Sequence, residues 1–232
     1  TVQEAKMTCL IIKKLSKNYK KKTLNYMVLM VWLKKEVKTL KMLSKLIMIE
    51  NFVFTLGLPG CGKSSYLDEH YNTAFNPIKQ SSGYNISTIC SDVTTFLNNS
   101  SYIEGEYIYV AADDIKEDLE GFSNDHPEVV HEESVQLARQ LVLNLSLSPI
   151  AVNVIMDGGG INNYYTESIL RNLRQNCPNV KITCLFFDTP IDVCIERVSK
   201  RERKVPISAI YDKNLIIVEC INRYIPLIDD FI

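Results

Sequence analysis

The sequence Gly57-Leu58-Pro59-Gly60-Cys61-Gly62-Lys63-Ser64 decides which fold this chain can adopt. An apolar run at residues 52–56 precedes it, and residues 65–70 after it can form a helix. A strand, a glycine-rich loop of the pattern G-x-x-x-x-G-K-[ST] and a helix, in that order, form a phosphate cradle. Glycines let successive backbone N–H groups turn toward one anion, and the helix N-terminus adds partial positive charge. The stretch therefore predicts a P-loop that binds a nucleotide.

The residues of this loop have separate predicted roles. We expect Lys63 to reach the β- and γ-phosphates of ATP or GTP and Ser64 to bind Mg²⁺ through its hydroxyl. The pattern does not distinguish ATP from GTP. The predicted nucleotide-binding residues are Gly57, Leu58, Pro59, Gly60, Cys61, Gly62, Lys63, Ser64 and Ser65.

Charge is unevenly distributed along the 232 residues. Residues 1–47 carry 12 Lys and 2 Glu, a net charge of +10, whereas residues 48–232 have a net charge of −11. We interpret residues 1–47 as a Lys-rich non-core extension, with Met48 as a candidate true start, and residues 48–232 as one kinase domain. The last four residues read as the beginning of another strand, so a truncated C-terminus is a further expectation. The acidic main part argues against a broadly basic nucleic-acid-binding surface.

Cysteine usage and hydropathy indicate a cytoplasmic protein without a transmembrane segment. The seven cysteines include no C-x-x-C pair, which is typical of a reducing compartment. The apolar stretch at residues 24–33 is too short to cross a bilayer as a helix, and no small-residue cleavage site follows it. A basic amphipathic helix on a membrane surface remains an alternative for this stretch.

Strand and helix patterns alternate after Met48, which predicts an α/β, three-layer P-loop NTPase/kinase fold with a mostly parallel sheet flanked by helices. The predicted strands cover residues 107–110, 151–156 and 181–187, and the predicted helices cover residues 127–145, 165–175, 190–201 and 212–224. Residues 72–105 read as a surface insertion near the substrate side. Within them we expect a short strand at residues 85–90, with Asp92 as a weak acidic candidate.

Acidic residues follow two of the predicted strands. Asp113 and Asp114 come after residues 107–110, and Asp157 comes directly after an apolar run. Ligands of open α/β sheets bind beyond the carboxyl ends of the strands. A kinase needs one acid to accept the proton of the acceptor hydroxyl and another to hold Mg²⁺ directly or through water. The alternative interpretation of each acid is a helix cap or turn residue.

A cluster of cations lies in and just after the helix that follows the predicted strand at residues 181–187. Nucleotide kinases carry at this place a lid that closes over the phosphates. A solvated helix end is the alternative, because cations are favourable there without any ligand. The cluster consists of Arg197, Lys200, Arg201, Arg203 and Lys204.

Four further segments, in the same order along residues 50–228, resemble motifs of the zeta toxin family of P-loop kinases. They are A-D-D-I-K at residues 112–116, H-E-E-S at 131–134, I-M-D-G-G at 155–159 and R-K-V-P at 203–206, with Arg197 and Arg201 before the last. The resemblance implies an ATP- or GTP-dependent phosphotransferase. In zeta toxins the acceptor is the 3′-hydroxyl of UDP-N-acetylglucosamine, and the family association makes an antitoxin protein a candidate partner.

The resemblance also implies roles for single residues. Asp113 takes the general-base position, and Asp157 takes the magnesium-side position. Lys116 stands where the family more often has Arg for substrate contact, and Glu133 lies in the family's substrate pocket. Asp114, from its place after a predicted strand, is the third expected substrate-binding residue. The expected phosphate-facing residues are Arg201 and Arg203.

Departures from the family pattern leave the acceptor open. Glu120 replaces a usual proline, Gly160 adds a third glycine, and the segment between Arg197 and Val205 is compact. Two alternatives therefore stand beside a small-molecule kinase. One is a kinase acting on polynucleotide 5′-ends, and the other is a nucleotide-binding module with little catalytic activity.

Overall fold

The structure, a computed structural model, describes residues 49–80, 84–126, 128–158, 160–161, 163–201 and 205–232. The chain divides into two units, Thr1–Leu46 and Ile47–Ile232, and every described residue belongs to the second. The predicted extension at residues 1–47 and the candidate start at Met48 lie outside the described residues. Arg203 and Lys204 lie outside them as well.

Helices and strands alternate through the described unit. The strands are β1 (Ile49–Gly57), β2 (Tyr107–Ala111), β3 (Val152–Asp157), β4 (Lys181–Phe187) and β5 (Asp230–Phe231). The helices are α1 (Lys63–His70), α2 (Ile86–Ser91), α3 (Val93–Asn99), α4 (Ala112–Glu117), α5 (His131–Leu145), α6 (Asn163–Asn176), α7 (Ile191–Ser199) and α8 (Ile207–Tyr224).

The five strands form one parallel sheet in the order β2-β3-β1-β4-β5. Parallel strands joined by crossover helices are covered on both faces, so their side chains are apolar with little alternation. Phe52, Phe54, Val154 and Ile155, on the inner strands β1 and β3, are accordingly buried. The fold is the three-layer α/β arrangement predicted from the sequence. The short β5 confirms the strand expected near the last residues.

The strand predicted at residues 85–90 is wrong, because this segment forms the helix α2. The side chain of Asn85 accepts a hydrogen bond from the backbone N–H of Thr88 at 2.9 Å and caps the helix. Asp92 caps the next helix, α3, by accepting from the backbone N–H of Thr95 at 3.0 Å. The alternative interpretation, a helix cap, therefore applies to Asp92.

Residues 72–105 do not form the predicted surface insertion. Phe75 pairs with the outer edge of β2, donating its N–H to the Tyr107 carbonyl at 2.7 Å and accepting from the Tyr109 N–H at 2.8 Å. Ile86, Ile89 and Phe96 are buried in the main core. The contribution of this segment to the core is hard to recognise in the sequence because it is rich in Asn, Ser and Thr. These polar residues lie on the exposed sides and at the caps of short helices.

In the part of the chain that the structure describes, no helix has the length and apolar character needed to span a membrane.

Candidate active site

The loop between β1 and α1, residues 57–62, requires glycine at positions that side chains could not occupy. Gly60 and Gly62 have φ angles of +85° and +105°, in the left-handed region that favours glycine. A Cβ atom on Gly60 would lie 2.6 Å from the backbone oxygen of Cys194 in α7. The glycine pattern therefore reflects both backbone conformation and the close approach of α7.

Lys63, the first residue of α1, folds back over this loop. Its Nζ donates hydrogen bonds to the carbonyl oxygens of Gly57 at 3.0 Å and Leu58 at 2.9 Å, and it lies 3.4 Å from Cys61 Sγ. These contacts hold the ammonium group at the mouth of the loop. A phosphate that enters the loop would meet this cation together with the N-terminus of α1.

Residues of α7 and of the segment that precedes it support the loop from the other side. The Thr189 hydroxyl donates to the Cys61 carbonyl at 2.9 Å, and Arg197 Nη1 donates to the Gly60 carbonyl at 3.3 Å. Arg197 belongs to the cation cluster found in the sequence, and the structure brings it to the loop. Its guanidinium therefore lies beside the loop, within hydrogen-bond distance of the loop backbone.

Asp157, the last residue of β3, accepts hydrogen bonds from three other elements. Thr55 Oγ1 on β1 donates to Oδ1 at 2.9 Å, and the Tyr109 hydroxyl on β2 donates to Oδ2 at 2.9 Å. Ser64 Oγ on α1 lies 3.5 Å from the same Oδ2. The predicted magnesium-side acid and the predicted magnesium-binding serine are therefore adjacent.

Tyr109 donates to Asp157 as a neutral phenol. Burial raises the pKa of Tyr109 well above its ordinary value of 10.0, and the neighbouring Asp157 carboxylate raises it further. A phenol with a raised pKa keeps its proton at physiological pH. At physiological pH Tyr109 is therefore the donor of this hydrogen bond.

The oxygen atoms of Ser64 and Asp157 fit a magnesium ion by their chemistry. Among the described residues, no three His, Cys, Asp or Glu side chains cluster as a metal site. Mg²⁺ prefers oxygen ligands, uses few protein groups and completes its shell with water and substrate phosphates. One hydroxyl and one carboxylate beside a phosphate-binding loop match that preference.

Asp113 lies in the first turn of α4, directly beyond β2, and forms an ion pair with Lys116. Lys116 Nζ is 3.2 Å from Asp113 Oδ1, with the lysine side chain 8% exposed and the aspartate side chain 57% exposed. The backbone register pairs Ala111 of β2 with Asp157 of β3. Asp113 and Asp157 are thus beyond the carboxyl ends of adjacent strands, as the sequence predicted.

His131, the first residue of α5, lies within electrostatic range of this ion pair. Surrounding protein atoms lower the pKa of its imidazole, and the positive charges of Lys116 and Lys213 lower it further, while Asp113 and Glu132 oppose them. The histidine is therefore mostly uncharged at neutral pH. The structure brings the H-E-E-S segment next to the A-D-D-I-K segment through the packing of α4 against α5.

Asp114 has a different set of partners from Asp113. It accepts a hydrogen bond from Asn76 Nδ2 at 2.7 Å and pairs with Lys79 Nζ at 2.8 Å. Its side chain is only 13% exposed. Asp114 therefore connects the segment around residues 76–79 to the start of α4.

Of the remaining predicted residues, those that the structure describes are exposed to solvent. Glu133 is exposed on the first turn of α5, and Arg201 is exposed just beyond the end of α7. Lys200 pairs with Glu196 one turn earlier at 2.6 Å, which fits the solvated-helix alternative for that cation. Arg203 is outside the described residues, so its predicted role stays a prediction.

Sequence reasoning missed Thr55, Asn76, Lys79, Tyr109 and Thr189. A polar residue near the carboxyl end of an apolar strand is the available signal for Thr55 and Tyr109, because that end faces the ligand. Asn76 and Lys79 lie in an irregular segment, and no pattern in the sequence links them to Asp114.

No protein-family model matches the sequence, and no curated protein does. Solved structures with a similar arrangement include a chain of the PezAT chromosomal toxin–antitoxin system of Streptococcus pneumoniae. It is 11% identical, with 84% of this chain and 72% of that chain covered and a TM-score of 0.46. The AvrRxo1-ORF1:AvrRxo1-ORF2 complex with sulphate ions gives 14% identity, a TM-score of 0.43 and coverage of 80% of this chain and 58% of that one.

Shikimate kinase from Acinetobacter baumannii in complex with shikimate is a third similar structure. It is 15% identical, with 82% of this chain and 86% of that chain covered and a TM-score of 0.40.

Proposed function

We propose that the chain is an ATP- or GTP-dependent kinase that transfers the γ-phosphate to a hydroxyl group of a small-molecule acceptor. The observation that carries this proposal is the placement of the glycine loop, Asp157 and Asp113 beyond three neighbouring strands, β1, β3 and β2. Neighbouring strands are about 4.8 Å apart, so β1 and β2, the strands that the loop and Asp113 follow, are separated by about 10 Å. That spacing suits a triphosphate bound on one side and an acceptor on the other.

The phosphate-donor side consists of the loop backbone, Lys63 and Arg197. These groups would bind and orient the β- and γ-phosphates, because each presents N–H groups or positive charge toward the loop. Ser64 and Asp157 would hold Mg²⁺, which, when bound, neutralises charge that develops on the transferred phosphoryl group. Arg201 and Arg203 are the proposed lid cations.

The acceptor side consists of Asp113 and the groups around it. In the proposed reaction the acceptor oxygen bonds to the γ-phosphorus while the bond from that phosphorus to the bridging oxygen breaks, and the nucleoside diphosphate leaves. The hydroxyl proton passes to the Asp113 carboxylate. Lys116 holds this carboxylate in place, while Glu133 and Asp114, the latter through Asn76 and Lys79, are proposed to contact the acceptor.

A UDP-N-acetyl-sugar is the first acceptor to test, because the sequence motifs resemble those of zeta toxins. The same resemblance supports an antitoxin protein as a candidate partner. We also propose a cytoplasmic location, which is supported by the six cysteines in the described residues, all of them buried free thiols.

A γ-phosphate transfer screen tests the proposal. The full chain is incubated with labelled ATP or GTP and with nucleotide-sugars, nucleosides and oligonucleotide 5′-ends, with Lys63→Ala and Asp113→Ala as inactive controls. Labelling of a small acceptor that both substitutions abolish supports the proposal. Labelling of oligonucleotide ends alone would favour a polynucleotide kinase, and nucleotide binding without transfer would favour a binding module.

A further inference from the structure

Two hydroxyl groups that no step of the proposed reaction uses hold the Asp157 carboxylate from both sides. Thr55 on β1 donates to Oδ1 at 2.9 Å, and Tyr109 on β2 donates to Oδ2 at 2.9 Å. Thr55 is 0% exposed. Because the donors bind different oxygens from opposite neighbouring strands, they restrict rotation of the carboxylate about both side-chain torsions.

The sheet register explains why a tyrosine at this position can reach the carboxylate. Tyr109 is paired with Ile155, two residues before Asp157, and Ala111 is the residue directly opposite Asp157. Two residues along a strand span about 6.6 Å, which a phenol side chain can bridge and a serine or threonine side chain cannot. Ala111 has only a methyl group as its side chain, so it does not block the Tyr109 phenol from reaching Asp157 along the sheet face.

Both groups donate without adding charge. A lysine or arginine beside Asp157 would neutralise the carboxylate and compete with a cation for it. Neutral hydroxyls orient the carboxylate and leave its full negative charge to attract a metal ion. Partners of this kind, which bind a metal ligand without touching the metal, typically change metal affinity or activity by about 10- to 100-fold when removed.

We propose that Tyr109 and Thr55 are positioning residues that orient Asp157 toward Ser64 and thereby set the affinity of the nucleotide site for Mg²⁺. The proposal rests on the proposed function, since it assumes that Ser64 and Asp157 serve a magnesium-bound nucleotide. Tyr109 also belongs to the strand that ends next to Asp113. This strand therefore orients the acid for the metal and leads directly into α4, the helix that contains the acid for the acceptor.

Binding of a fluorescent ATP analogue, measured without turnover across a Mg²⁺ titration and again in EDTA, tests the proposal on the full chain. For Tyr109→Phe and Thr55→Val, the Mg²⁺ concentration that gives half of the affinity gain should rise by about 10- to 100-fold. The affinity in EDTA should not change, because the loop backbone and Lys63 are untouched. Thr55→Ser keeps the hydroxyl and should retain the wild-type Mg²⁺ dependence.

Tyr107→Phe is the matched control, because Tyr107 lies two residues earlier on the same face of β2 and packs its ring against Tyr71. This variant should titrate like the wild type. Thermal unfolding of each variant without nucleotide shows whether it is folded. If Tyr109→Phe does not fold, the difference in Mg²⁺ dependence between Thr55→Val and Thr55→Ser tests the proposal. Wild-type Mg²⁺ dependence in folded Tyr109→Phe or Thr55→Val would overturn the inference. Absence of any Mg²⁺-dependent nucleotide binding by the wild type would overturn the proposed function instead.

Discussion

Lys116 and Asp113 form an ion pair whose two partners have opposite environments. The lysine side chain is 8% exposed, the aspartate side chain is 57% exposed, and Nζ lies 3.2 Å from Oδ1. Burying an ammonium group without an ion-pair partner costs free energy of folding. The buried Lys116 therefore favours the arrangement in which the Asp113 carboxylate stays paired with it. The exposed part of the carboxylate faces solvent, where an acceptor hydroxyl can approach it.

Replacement of Asp113 by Asn should reduce phosphate transfer by about 10²- to 10⁴-fold, because an amide cannot accept the hydroxyl proton. Affinity for the nucleotide should persist, because the loop and Asp157 lie at the ends of β1 and β3, whereas Asp113 follows β2. Steady-state transfer and direct nucleotide binding are the measurements. Asp118→Asn, at the end of the same helix, is the control. Transfer at the wild-type rate in Asp113→Asn would exclude this residue as the general base.

Replacement of Lys116 by Met should lower kcat/KM for the acceptor by about 10- to 100-fold, the effect expected when a hydrogen bond to a charged group worth about 1.5–3 kcal/mol is lost. Stability should change little, because an apolar side chain of similar length fills the buried site. Lys181→Met breaks an exposed ion pair with Asp230 on the far side of the sheet and serves as the control. An equal loss of nucleotide affinity in Lys116→Met would show that Lys116 does not act through the acceptor side.

Gly60→Ala should destabilise the chain and abolish nucleotide binding. The left-handed backbone costs a residue with a side chain about 1–2 kcal/mol, and the new Cβ would also lie 2.6 Å from the Cys194 carbonyl oxygen. Gly121→Ala separates the two effects, because Gly121 has φ +88° but no atom within 4 Å of the point where a Cβ would lie. Chemical unfolding should show a larger decrease in the free energy of unfolding for Gly60→Ala than for Gly121→Ala. Equal losses would mean that α7 yields to the added methyl group.

The lowered pKa of His131 gives the chain a pH-dependent stability. The folded state binds this proton less readily than the unfolded state, whose imidazole titrates near 6.5. The contribution of neutral His131 is therefore complete above that value and is lost as the pH falls through 6.5 toward the lower folded pKa. His131→Gln should flatten the fall in the free energy of unfolding between about pH 7 and pH 5. His126→Gln, in an exposed loop, is the control. If the free energy of unfolding of His131→Gln falls with pH as steeply as that of the wild type, the lowered pKa of His131 is contradicted.

Arg201→Ala should lower the transfer rate by at least about tenfold, because its cation is proposed to neutralise charge on the phosphates when the nucleotide is bound. Lys200→Ala is the control, since Lys200 is an adjacent cation paired with Glu196. The same assay on Arg203→Ala tests the second proposed lid residue. If the Lys200 and Arg201 variants lose activity equally, general surface charge explains the effect.

The local sequence predicted most of the elements. The strand at Lys181–Phe187 has the predicted bounds, and the loop after β1 has the left-handed glycines that its pattern requires. Such features depend on neighbours along the chain, namely runs of apolar residues, glycines and proline. The strand expected at residues 85–90 is wrong because Asn85 caps a helix there, and this capping residue is also a local feature of the sequence.

The sequence by itself determined the α/β class, the glycine loop with Lys63 and Ser64, and the positions of Asp113 and Asp157 after strands, because these follow from local backbone preferences. Only the tertiary structure decided that Tyr109 and Thr55 hold Asp157, and that Asn76 and Lys79 hold Asp114 while Asp113 pairs with Lys116. Except for the Asp113–Lys116 pair within α4, these contacts join residues far apart in the chain. They depend on strand order and register, which are set by packing of the whole sheet and not by any single segment.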